Sequence, residues 1–151
     1  MSVVSNQVTA DVDDAIADAE DALSVLFSRV RLVYKNAAVQ IHPELRPMGY
    51  KILSTIVRLG ETSASALAEA LETDKAVVSR QVRVLEEAGL VLGRVDPSDG
   101  RARVLVPTDD AIMRVRSARA AQQERLRALL GSRPQHEVRA FADVLRLIAE
   151  G

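Results

Sequence analysis

Residues 73–108 join a short capped helix to an arginine-bearing hairpin, a pairing that few folds accommodate. Thr73 suits a helix N-cap, and Gly89 suits the residue just past a helix C-terminus, where φ turns positive. Val78, Val82 and Leu85 recur at helical spacing and form an inward face. Lys75, Ala76, Ser79, Arg80 and Arg83 share the opposite face, which is short-chained at its start and cationic. Such a face fits a major groove, with Arg80 and Arg83 able to meet guanine N7/O6 or phosphate oxygens. After Gly89 the period changes. Leu90, Val91, Leu92 and Val95 read as a strand, Asp96-Pro97-Ser98-Asp99-Gly100 as a turn, and residues 101–106 as the return strand. Alternation along that return strand predicts a cationic side with Arg101, Arg103 and Leu105 and an apolar side with Ala102, Val104 and Val106. Arg101, next to the tip, is suited to a narrow minor groove, where negative potential is concentrated.

Leu85-Glu86-Glu87-Ala88-Gly89-Leu90-Val91, Arg94 and Asp96-Pro97-Ser98-Asp99-Gly100-Arg101-Ala102-Arg103 together resemble the signature of the MarR family of winged-helix regulators. The resemblance covers most of the chain and is most specific in this region. It implies that Asp99 and Arg101 form the wing tip and that Thr108 opens the next helix. One departure follows the wing: family members usually read Leu-Thr-x-x-Gly, and this chain has Pro107-Thr108-Asp109-Asp110-Ala111. Thr108 keeps the capping chemistry.

A chain of 151 residues, 48% hydrophobic and 27% charged, suits a single domain with a packed core. No apolar run is long enough for a membrane span, and the acidic N-terminus lacks the cationic and apolar regions of a signal peptide, so a cytoplasmic protein without a membrane partner is expected. With no cysteine there is no disulfide, thiolate metal site or cysteine-based peroxide sensing. Aromatic content of 3% argues against a binder that stacks single-stranded bases. A net charge of −1 is unusual for a DNA binder, but its distribution is uneven. Asp11, Asp13, Asp14, Asp18, Glu20 and Asp21 crowd one end, whereas Arg114, Arg116, Arg119, Arg125, Arg127 and Arg133 form a basic run downstream of the hairpin. That run is either a solvated helix face or the partner of the acidic helix, across a dimer.

Ile16, Ala19, Leu23, Leu26, Phe27, Val30, Val33, Tyr34 and Ala37 predict a long helix over about residues 12–41, after a frayed start. Helices past about 25 residues usually belong to multimers, because one small domain cannot cover so long a stripe. Leu126, Leu129, Leu130, Val138, Phe141, Leu145 and Ile148 give two more amphipathic segments, separated around Gly131 and Pro134. First and last helices therefore read as an interlocking homodimer, the alternative being a bundle within one chain. Between them, Pro47 starts a helix with Met48, Ile52, Leu53, Ile56 and Leu59 inward, ending at Gly60. Residues 63–71 form a short supporting helix whose Leu67 and Leu71 fix the angle of the helix that follows.

The expected fold is mainly α with a small β-hairpin wing: a winged helix-turn-helix over residues 46–108, with dimerisation helices over 11–45 and 109–151 of one continuous chain. On the family resemblance, a small-molecule effector would sit between the two regions, where Tyr34, His42, Arg46 and Met48 are candidates, although Tyr and Met at helical spacing also suit a core. Two histidines and no cysteine give little material for a metal site, and no cofactor is called for. Nor is there a phosphate loop or a distinctive Ser/His/Asp spacing, so an enzyme is not expected. The expected partners are double-stranded DNA, a second copy of the chain and that effector. The resemblance favours repression, and a winged-helix adaptor that binds protein instead of DNA is the alternative. Lys75, Ala76, Ser79, Arg80, Arg83, Asp99, Arg101 and Arg103 are the candidate DNA contacts.

Overall fold

The computed structural model describes residues 2–95 and 103–150. In chain order these form α1 (Ser2–Ile41), α2 (Pro47–Leu59), α3 (Ala64–Ala70), α4 (Lys75–Glu87), β1 (Val91–Val95), β2 (Arg103–Pro107), α5 (Asp109–Gly131) and α6 (Gln135–Glu150). Helix α1 starts well before the expected residue 12, since no Gly or Pro interrupts the chain there. At 40 residues it is about 60 Å long.

The local signals act where their chemistry dictates. Pro47 opens α2, Ser63 caps α3 by accepting from the Ala66 amide, and Thr108 caps α5 by accepting from the Ala111 amide. Helix α4 begins one residue later than expected. Asp74, not Thr73, is its N-cap, because the Val77 and Val78 amides both donate to the Asp74 carbonyl, while the Thr73 amide turns back to the Ala68 carbonyl of α3. Gly89, at φ 69°, then releases the chain into β1.

The core lies around α2. Ile52, Leu53 and Ile56 are fully buried there against Leu67 of α3, Val78 and Leu85 of α4, and Val115 of α5. The last turns of α1 join it through Ala37, Ala38 and Ile41. Leu59, expected inward, is 45% exposed: the apolar stripe of α2 runs past the elements that cover it, and Tyr50 is buried instead. Two arginines of the basic run tie α5 into this lobe. Arg114 donates to the Ile41 carbonyl at 2.7 Å and is held by Asp110, whose hydrogen bond and charge raise the guanidinium above its ordinary pKa. Arg119 donates to the Ser54 carbonyl at 3.1 Å.

The hairpin is a two-stranded antiparallel ladder pairing Val91 with Pro107, Gly93 with Leu105 and Val95 with Arg103. Thr62 extends it by exchanging main-chain hydrogen bonds with Leu105. This register reverses the expected faces. Leu105 is a core residue together with Val91, while Val104 and Val106 are only half-buried on the outer face. The stretch from Leu90 to Val91 is anchored under the domain, so the strand face nearest the helices must take the apolar side chains, and Arg103 shares that face.

By contrast, α6 has no buried residue, and α1 is exposed along most of its length. Phe27, Leu129, Phe141 and Leu147 are among the large apolar side chains left open to solvent.

Candidate nucleic-acid interface

Helix α4 is held from below and open above. Val78, Val82 and Leu85 are buried in the lobe, and Lys75, Ala76, Ser79, Arg80 and Arg83 all stand exposed on the other side. Every predicted helix contact therefore shares one accessible face. Its first turn carries no acidic side chain, and Ala76 and Ser79 leave the backbone near the surface. Arg83 is paired with Glu87 along the helix at 2.9 Å, an exposed contact worth only about 0.3–0.5 kcal/mol that a stronger anion can displace.

The hairpin stands beside this face. Arg94 is exposed on its outer side. Asp99 and Arg101 lie outside the described residues. Arg103 points back across β1 to α4, where its Nη2 donates to Glu86 Oε1 at 2.7 Å. Sequence reasoning missed Glu86 because its partner is distant in the chain and on a strand face expected to be cationic and open.

The four effector-cleft candidates separate. Tyr34 and Met48 line one apolar groove of about 640 Å³ between α1 and α2, with Val30, Pro47 and the cationic Arg31, Lys35 and Lys51 at its rim. Tyr34 also meets the buried Tyr50 edge to face, ring centroids 5.5 Å apart. His42 and Arg46 do not line this groove. The His42 Nδ1 accepts from the Glu44 amide at 3.3 Å, and Arg46 sits at the N-cap of α2. Arg31 precedes Tyr34 and Lys51 follows Met48 by three residues, a spacing that could have marked them.

Residues 47–102 match the model of the MarR family. YdgJ of Bacillus subtilis, an uncharacterised HTH-type transcriptional regulator, is 28% identical over 95 residues, which span 63% of this chain and 58% of that protein. A second uncharacterised HTH-type regulator of that organism, YxaD, is 26% identical over 77% of this chain and 81% of its own length. Among solved structures, Streptococcus pneumoniae FabT in complex with DNA superposes with a TM-score of 0.82 at 13% identity, covering 89% of this chain and 95% of that one. The fold match thus includes the helices outside the family model. Residues 47–102 thus match the MarR family as a winged-helix domain, and the chain as a whole has the fold of solved transcription regulators of that family.

Proposed function

We propose that the protein is a homodimeric repressor that binds a pseudo-palindromic DNA operator and is released by a small-molecule effector. One observation carries the DNA reading: Lys75, Ser79, Arg80 and Arg83 stand together on the exposed face of a helix whose other face is locked into the core. The solved DNA complex of FabT, which shares the fold, supports the same reading. Arg80 and Arg83 contact base edges or phosphates, and Arg101 at the wing tip enters the flanking minor groove. Dimerisation uses residues 11–45 and 109–151, where Phe27, Leu129, Phe141 and Leu147 would otherwise face water. Two-fold symmetry then sets the two α4 helices in successive major grooves about 34 Å apart. The groove at Tyr34 and Met48 joins α1 to the first turn of α2, so a ligand wedged there shifts the DNA-binding lobe against the dimer. The family context favours repression.

Selection from a random duplex library tests this reading. The expected product is a two-fold symmetric motif with half-sites about 10 base pairs apart. A pool without enrichment contradicts it and leaves a winged-helix adaptor that binds protein.

A further inference from the structure

We propose that Arg103 is a positioning residue: it latches the wing to α4 through Glu86 across the bare backbone of Gly93, and is not itself a phosphate contact. The inference rests on the DNA-binding reading above, and three observations support it.

The first is where the hairpin is anchored. Its base is fixed by the burial of Val91 and Leu105 and by the two main-chain bonds to Thr62. The pair formed by Val95 and Arg103 is the outermost described rung, and Val95 there is 68% exposed. Packing therefore holds the base and not the outer half. Among the described residues, the contact of Arg103 with Glu86 is the ion pair that joins this outer half to α4.

The second is the asymmetry of that pair. The Glu86 side chain is 21% exposed and the Arg103 side chain 62%. Glu86 is thus a partly shielded anion at the end of the helix that faces DNA, and without a cation it would repel a phosphate backbone. Arg103 neutralises it at 2.7 Å, and the short, charge-assisted bond fixes the distance between strand and helix.

The third is Gly93. It lies on the same strand face as Arg103, and the guanidinium passes directly over it. A Cβ built on Gly93 would collide with Nε, Cζ and Nη2 of Arg103. Its φ lies outside the left-handed region, so the backbone does not require glycine there. A side chain there would instead displace the arginine from the path it takes to Glu86. A glycine inside a strand marks this kind of close approach.

Glu86→Gln, Gly93→Ala, Arg103→Gln and the exchanged pair Glu86→Arg/Arg103→Glu separate the latch from a direct contact. Amide hydrogen exchange in β1 and β2 is measured on the free protein, and affinity for the selected duplex at several salt concentrations. The latch predicts that Glu86→Gln and Gly93→Ala each speed exchange in the hairpin and weaken binding by about fivefold, with the salt slope of the parent retained. Arg103→Gln does the same, and the exchanged pair recovers hairpin protection. A phosphate contact predicts the opposite: Glu86→Gln binds more tightly because an anion is removed, and Arg103→Gln lowers the salt slope by about 1. Either of those results, or hairpin exchange unchanged in Gly93→Ala, overturns the proposal. The exchange measurement needs no DNA, so it tests the latch even where the parent protein proves not to bind a duplex.

Discussion

The hydroxyl of Thr108 donates to the Gly89 carbonyl at 3.0 Å, joining the start of α5 to the point where the chain leaves α4. The same oxygen accepts from the Ala111 amide at 3.2 Å, so one side chain caps a helix and closes the base of the wing. Thr108→Val keeps the shape and removes both bonds, together with a longer one to the Leu90 carbonyl at 3.3 Å. It is expected to cost about 1–2 kcal/mol, read as a lower urea midpoint at unchanged m-value.

The strand register makes a sharp distinction between neighbours. Leu105 is buried in the core and Val106 is half-exposed. Leu105→Ala should destabilise by about 2–5 kcal/mol, whereas Val106→Ala should cost less than about 1 kcal/mol. Equal losses in equilibrium unfolding would contradict the register.

Arg80 stands exposed on α4 with no part in the core, so its replacement should leave folding intact. Arg80→Ala is expected to weaken binding to the selected duplex by about 1–3 kcal/mol and to relax preference at one base position, with an unchanged circular dichroism spectrum. Uniform weakening across all sequences would mark it as a phosphate contact.

Helix α6 is amphipathic yet has no fully buried residue within its own chain. Leu145→Glu should therefore leave the monomer's fold intact and move the sedimentation coefficient from dimer to monomer at micromolar concentration. A parent protein that sediments as a monomer would remove the two-fold operator from the account.

Much of this architecture is written in local sequence. Pro47, Ser63, Gly89 and Thr108 act at helix ends through backbone chemistry that needs no tertiary context, and the spacing of Val78, Val82 and Leu85 fixes which side of α4 faces out. The misplaced features depend on distant partners. Thr73 loses the N-cap because the Val77 and Val78 amides both donate to the Asp74 carbonyl, and Leu105 turns inward because the anchored Leu90 and Val91 set the hairpin's pitch. Arg103 reads as one more surface cation until Glu86 and Gly93 are brought beside it. Tyr34 and Met48 meet in one groove, although their helical spacing suited a core as well, whereas His42 and Arg46 sit in the connector, whose path no periodicity describes.

On the proposed function, the exposed face of α4 and the wing beside it recognise a specific duplex. The most direct test of this recognition is titration of the parent protein against the selected duplex and a scrambled duplex of the same composition, at two salt concentrations. A specificity ratio above about 10³ that persists as salt weakens both affinities is expected. Equal, weak and equally salt-sensitive binding to the two duplexes would contradict it.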